Sequence, residues 1–526
     1  MHVDAQMMVL VQQVGTQLTA DLGALHRVGL VGALGLDLEG ADAAQRLAEI
    51  RLGRIVNVSF SAEWLNSSGK YKFRYRRVNP AGELAYDTTA VRQNGDINAT
   101  RLELNLNGTI KKGDWNFKVY NYNSERGVPG AIVNNVWRRG ERIWDTNSFA
   151  QGRYRGDFGR FITLNNLKYA AYRTHYVNND DKQVKIDNLY RQKEIYFSTA
   201  NQYSIFDWWH VSLSYDFMWN DLNADMYGFA KPDRFSHFVS GATAINLPRF
   251  KLQASALGTF IHDRLKGQES PKDKHVFTPA VFVSGYPLRS PDFSIRAFYK
   301  KSFRMPTFND LYYADMGNSK LNPEHVTQYN AGILYDRVRR GVVNTIRIGA
   351  DVYYNTVRDK IVAYPKGQQF RWTMLNLGRV RIKGVDVTAL VTVNPVSDLM
   401  LTLRAQYTFQ HAIDVTDPSD NYYRDQIPYI PRNSGACVFN ASWHEWNLNY
   451  SWIYVGERYN QQENIRYNYT QPWYTSDVSI SKDLKIKKVS LRAMAEINNL
   501  LSQDYDVIIN YPMPKRNFRF TIVAEI

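Results

Sequence analysis

From Ile55 onward, apolar and polar positions alternate with a period of two. In Val211–Trp219 the odd positions are Val211, Leu213, Tyr215, Phe217 and Trp219. Ile346, Ile348, Ala350, Val352 and Tyr354 alternate with Arg347, Gly349, Asp351 and Tyr353. The same period runs through Leu399–Phe409, through Val489–Ile497 and through Phe518 to Ile526. A helix would scatter these residues around its surface, whereas a strand sets them on two opposite faces.

A soluble β-sandwich also alternates, so further features decide. The polar faces carry Arg347, Asp351, Arg404 and Glu496, which suit a wet lumen. The strands are about ten residues long and end in aromatics such as Tyr354 and Tyr407, the layout of an apolar band between aromatic girdles. Short connections are expected at 66–69, 111–114, 394–398 and 444–446, and long polar loops at 121–148, 174–192, 302–325, 356–380, 409–433 and 454–475. Short turns at one rim and long loops at the other predict an all-β fold, a transmembrane antiparallel β-barrel with periplasmic turns and extracellular loops. Counting back from Ile526 gives roughly 21 strands from Val56 onward, against the even number with which such barrels close. The expectation is therefore about 21–22 strands, with a first strand missing.

Residues 1–54 have a different composition. They hold no Phe, Trp or Tyr and no Lys, Asn, Ser or Pro, where about seven aromatics would be expected from the 14% of the whole chain. Met1-His2-Val3-Asp4 lacks the cationic start of a signal peptide. The segment reads as atypical, either a non-native reading frame or a small Ala-rich helical extension, with one domain following over 55–526.

A single cysteine, Cys437, excludes a disulfide framework and cysteine-based metal sites. The net charge of +15 raises a nucleic-acid reading, but the basic residues are dispersed and no recognition motif accompanies them. No nucleic-acid partner is expected. The ten His have no ligand spacing, no nucleophile elbow or Cys/His pair suggests catalysis, and neither a metal nor a cofactor is expected. Oxygen clusters at Asn178-Asn179-Asp180-Asp181 and at Asp414, Asp417 and Asp420 have the donors for Ca²⁺ but read better as solvated loop acids.

The run Arg304-Met305-Pro306-Thr307-Phe308-Asn309-Asp310-Leu311-Tyr312, followed by Leu321-Asn322-Pro323-Glu324, resembles the signature of the TonB-dependent receptors of the outer membrane. Asn376-Leu377-Gly378-Arg379-Val380 leading to Lys383-Gly384-Val385-Asp386, and Ile497-Asn498-Asn499-Leu500-Leu501, extend the resemblance over residues 55–526. Ser124–Gly130 is similar to an outward loop of the Bacteroidetes branch. The resemblance implies a 22-stranded barrel of a Gram-negative outer membrane that imports a scarce nutrient, such as a cobalamin, a siderophore or an oligosaccharide. In the family, TonB drives uptake by pulling on an N-terminal plug. No plug, TonB box or first strand is recognisable in residues 1–54, so impaired uptake is expected.

Ligand candidates are the aromatic and basic residues of two outward loops: Tyr364, Arg371 and Trp372, and Tyr422, Tyr423, Arg424 and Tyr429. Aromatic planes and guanidinium groups suit stacking on a sugar, a corrin or a siderophore; girdle and loop packing is the competing assignment. Outer-membrane lipid and lipopolysaccharide are expected around the barrel. Readings from other classes are a plugless passive pore and a soluble all-β carbohydrate-binding protein.

Overall fold

The computed structural model describes residues 30–37, 41–52, 56–78, 84–132, 140–179, 185–313, 317–366 and 371–525. Twenty-two strands form one sheet. Leu30–Asp37 pairs on one side with Ala41–Leu52 (Leu30 opposite Ala48) and on the other with the last strand, Asn517–Glu525 (Val31 opposite Glu525). The antiparallel pairings therefore run around a ring, and no strand in it keeps a free edge. That is the condition for a sheet to sit in hydrocarbon, where no water satisfies an open edge.

The total of 22 agrees with the expected 21–22, and the placement of the strands corrects the sequence reading. Two strands of the ring, Leu30–Asp37 and Ala41–Leu52, precede Val56 and leave twenty after it. The first strand is present within residues 1–54. Its sequence, Leu-Val-Gly-Ala-Leu-Gly-Leu-Asp, hides the period because Gly and Ala are nearly silent in an apolar–polar pattern. Ala41–Leu52 is made of helix formers, yet it is held as a strand between two hydrogen-bonded neighbours, a case of sheet context outweighing local propensity.

The connection at 66–69 is the second correction. It is not a tight turn but the start of an outward excursion. Gly69 has φ 57°, and its N–H donates to Ser67 Oγ at 3.1 Å. The chain then forms a separate hairpin, Lys72–Val78 with Leu84–Val91, outside the ring. Phe73, Tyr75 and Ala90 of this hairpin pack on Ile132 of the next outward loop.

Elsewhere the rim asymmetry holds. Two-residue turns such as Lys111-Lys112, Asp207-Trp208 and Lys487-Lys488 close one rim. The outward loops lie where expected but are shorter, because the strands run into them. Val343–Lys366 and Arg371–Val396 have 24 and 26 residues, against about ten for crossing the bilayer, so the wall rises well above the membrane on the loop side.

Leu213 is 62% exposed and Phe277 67% exposed on the outer face. Inside, charged residues compensate one another: Arg347 with Asp336 at 2.8 Å, Arg492 with Asp483 at 2.6 Å, and Arg296 with Asp351. Arg404 has the same inward parity, opposite Leu390. Tyr299, Tyr329 and Tyr354 form a ladder towards the loop rim, with ring centroids 5.2 and 6.4 Å apart. Phe206 and Trp208 stack at the turn rim. Cys437 sits half-buried between Ala405 and Trp452 on neighbouring strands.

Candidate functional site

The loop after Arg304 folds inward because its residues close on one another. Thr307 caps the helix Phe308–Tyr312: its Oγ1 accepts from Asp310 N at 3.2 Å, and Asp310 Oδ2 accepts from Thr307 N at 2.9 Å. Asp310 is buried and also accepts from Arg304 Nη2 at 3.1 Å. Arg304 in turn approaches Glu324 at 4.0 Å, and Glu324 accepts from Ile361 N. Leu311 and Leu321 pack with Ile361 and Met374. Asn376 donates to Asn322 O at 3.1 Å and to Asp359 O at 2.7 Å, while its Oδ1 accepts from Asn322 N.

The other side of the loop is held by the wall. Arg234 and Asp263, both buried, pair through two hydrogen bonds, and Arg234 Nη1 donates to the Pro306 carbonyl at 2.6 Å. The Arg234 guanidinium lies over the Phe308 ring at 5.0 Å. Phe308, Tyr312 and Tyr313 pack against Tyr190, Leu222 and Ala224, so the loop reaches back over several neighbouring strands. Burial pushes the Tyr313 hydroxyl up to about 12 and keeps it neutral.

Beneath this loop lies a cavity of about 680 Å³, lined by Glu194, Asn220, Ser236, Thr259, Lys300 and Phe308 among others. Glu194 is compensated by Lys168 at 2.9 Å and accepts from Asn220 at 3.1 Å. The wall is mostly apolar surface set with a few hydroxyl and amide groups, chemistry that holds an organic molecule by apolar contact and orients it by directed hydrogen bonds.

A second assembly joins the outward loops on the far side of the ring. Arg92 Nη2 donates to Pro129 O and Gly130 O, both at 2.7 Å, and Tyr71 hydroxyl to Pro512 O at 2.7 Å. Arg458 donates to Val507 O at 3.1 Å. Between these lies Asp506, which accepts from Asn510 N at 3.0 Å. Burial raises its carboxyl to about 6, against the opposing pull of Arg92 and Arg458. Tyr505 stacks on Trp473 at 4.8 Å, and burial raises its hydroxyl to about 12.

The candidates read from sequence separate. Tyr364, Arg371 and Trp372 lie at the end of one long hairpin, where Tyr364 faces Thr373 and Pro365 faces Trp372; their side chains lie outside the described residues. Tyr422, Tyr423 and Arg424 stay together in a turn, with Arg424 over the Tyr423 ring at 5.4 Å. Tyr429 turns away and joins the Arg458 and Asp506 assembly. The motif residues Arg304, Pro306, Leu311, Tyr312, Leu321, Pro323 and Glu324 build the inward loop. Gly384 lies against the Tyr353 ring, where a Cβ would collide. Asn498 donates to Asn517 Oδ1 at 2.9 Å, and Asn499 anchors the last loop through Asp477, Gln503 and Pro514.

Asp414 and Asp417 accept from the backbone of Thr416 and Ser419 in their own turns. Asp180 and Asp181 lie outside the described residues. Among the described residues no group of three His, Cys, Asp or Glu is placed to hold a metal ion. Sequence reasoning missed Arg92, Arg234, Asp263, Arg458 and Asp506, whose only signal is a charge in a strand or loop whose partners lie far away in sequence.

Residues 45–500 match the family model described as TonB dependent receptor-like, beta-barrel. Two curated relatives are named vitamin B12 transporters: one from Vibrio vulnificus is 34% identical over 88 residues, and one from Photobacterium profundum is 25% identical over 230 residues. The matches cover 17% and 42% of this chain, and only 13% and 33% of those relatives' own lengths. In fold the chain is similar to the FrpB iron transporter from Neisseria meningitidis, with TM-score 0.72 and 12% identity over 96% of this chain and 83% of that one. It is similar also to the siderophore receptor PiuA from Acinetobacter baumannii, with TM-score 0.71 and 11% identity over 96% and 82%. These relatives are transporters and receptors, not enzymes. With its ring of 22 strands and a family match across most of its length, the chain belongs to the TonB-dependent receptor-like β-barrel family.

Proposed function

We propose that this chain is the barrel of an outer-membrane receptor that takes up a scarce nutrient in a TonB-dependent manner. The observation that carries the reading is the cavity of about 680 Å³ between the barrel wall and the capped inward loop. A recognition site of this kind sits on rigid strands and is roofed by one ordered loop. Its apolar lining, set with hydroxyl and amide groups, supports an organic cargo of the cobalamin, siderophore or oligosaccharide class. The matches to vitamin B12 transporters favour cobalamin as the first cargo to test. The loop residues Tyr422, Tyr423 and Arg424 supply a first contact surface above the lumen, and Tyr364, Arg371 and Trp372 a second. The similarity of Ser124–Gly130 to an outward loop supports a Bacteroidetes-type receptor. In the family a plug and TonB energise passage, and the barrel supplies the lumenal wall along which cargo is held.

The test is binding of cyanocobalamin, a ferric siderophore and an oligosaccharide panel to the detergent-purified chain. Saturable binding of one class, weakened by Asn220→Leu or Thr259→Leu, supports the reading. Binding of none, in a chain shown to be folded, contradicts it.

A further inference from the structure

The outer face of strands Lys274–Gly285, Phe293–Arg304, Glu324–Val338 and Val343–Lys366 carries a groove of about 600 Å³. Ala297 opposite Ala331 forms its floor. Tyr299 opposite Tyr329 stands on its outward side and Ile295 opposite Ile333 on the other. Val283 and Val352 close the flanks. Two small side chains between bulky rungs leave a slot of hydrocarbon width on a wall that faces lipid.

The outward end of this slot is charged. Tyr354 lines the groove, and Lys383 Nζ lies 5.8 Å from the centre of its ring. Lys383 is opposite His411, and Arg381 follows two residues further outward on the same face. Arg358 is opposite both His325 and Arg379. The fields of Arg381, Lys383 and Arg432 meet at the His411 ring, and that of Arg358 reaches His325, where Asp359 is the opposing carboxylate. The alternation that exposes Val352, Tyr354 and Phe409 puts Arg358 and His411 on the outer face with them.

Arginines inside the ring find carboxylates within the chain: Arg296, Arg347 and Arg492 each pair with an Asp. Among the described residues, Arg358, Arg379, Arg381, Lys383 and Arg432 pair with none. Cations just beyond a tyrosine ladder lie at the depth of lipid headgroups, where an anionic headgroup is their natural counter-ion. From Arg358 to Arg432 the belt crosses four neighbouring strands, about 14 Å at the usual strand spacing. A single phosphodiester does not span that width, whereas a sugar head with two phosphates does.

We propose that this sector binds one phosphorylated, multiply acylated glycolipid of the outer leaflet, with an acyl chain over Ala297 and Ala331 and the phosphates on Arg358, Arg381, Lys383 and Arg432. The proposal rests on the outer-membrane reading above. The test uses the purified chain, first checked for heat-modifiable migration, and then titrated in detergent with bis-phosphorylated lipid A, its dephosphorylated form and phosphatidylglycerol.

The expected result is tightest binding of the bis-phosphorylated glycolipid. The triple variant R358Q/R381Q/K383Q weakens it roughly a hundredfold, as three headgroup-level charges would. Ala331→Phe weakens it with every charge in place, and the lumenal Arg404→Gln leaves it unchanged. Equal affinity in the triple variant, or phosphatidylglycerol binding as tightly, overturns the glycolipid site and leaves the barrel standing. A chain that is not heat-modifiable overturns both.

Discussion

Arg234 and Asp263 face each other across neighbouring strands, with guanidinium Nε and Nη2 donating to the two carboxylate oxygens at 2.7 and 2.8 Å. The remaining donor, Nη1, holds the Pro306 carbonyl. One buried ion pair thus fastens the inward loop to the lumen wall, and the loop roofs the cavity.

Removing one partner leaves the other charge buried and alone, which costs about 3–5 kcal/mol. Asp263→Asn and Arg234→Met are therefore expected to release the loop. Limited proteolysis should cut within 305–323 in either variant and not in the parent chain. The double variant Arg234→Met/Asp263→Leu removes both charges and should lose less stability than either single change.

Asp506 titrates at about 6 in the folded loops against an ordinary 3.8. The fold therefore holds the proton more tightly than the unfolded chain. Its contribution to stability is full below 3.8 and is lost as pH rises through about 6. Hydrogen exchange of the 507–510 amides, corrected for intrinsic rate, should show more protection at pH 5 than at pH 7.5. Asp506→Asn should flatten that difference; a difference that persists in the variant assigns it to another group.

The two faces of a strand should respond oppositely to charge. Leu213→Arg places a cation in lipid and is expected to cost about 2–4 kcal/mol if it lies near the midplane. Ser214→Arg, one residue on, points into water and should cost little. Urea unfolding from vesicles measures both. Equal losses would mean that the assigned faces are wrong.

Closure of the ring predicts a covalent link. Ala33 lies opposite Val523, so cysteines at both positions, with Cys437→Ser, should oxidise to a disulfide within one chain. Cysteines at Ala33 and Arg519, which lies opposite Asp37 and four residues out of register, should not.

Much of the fold was legible because strands facing lipid on one side and water on the other have to alternate. Val211–Trp219 falls within the strand Trp209–Ala224, and Arg347 and Asp351 are lumenal as read. The pattern failed where side chains carry little signal, in Leu30–Asp37, and where alternation belongs to a hairpin outside the ring, in Lys72–Val91. The site was legible in part. The Arg304–Tyr312 run marks the inward loop, but nothing in the sequence ties it to Arg234 and Asp263, because a lumenal ion pair between different strands leaves no local period. Tyr429 looked like its neighbours Tyr422 and Tyr423 and separates from them where two left-handed residues, Arg424 at φ 69° and Tyr429 itself at φ 59°, redirect the chain.

Gel migration of the membrane-extracted chain before and after boiling separates a closed transmembrane barrel from a soluble fold. The closed barrel is expected to fractionate with the outer membrane, run compactly when unheated and shift to its full apparent mass when boiled. A chain that stays soluble and monomeric without detergent, with the same migration in both lanes, would contradict it.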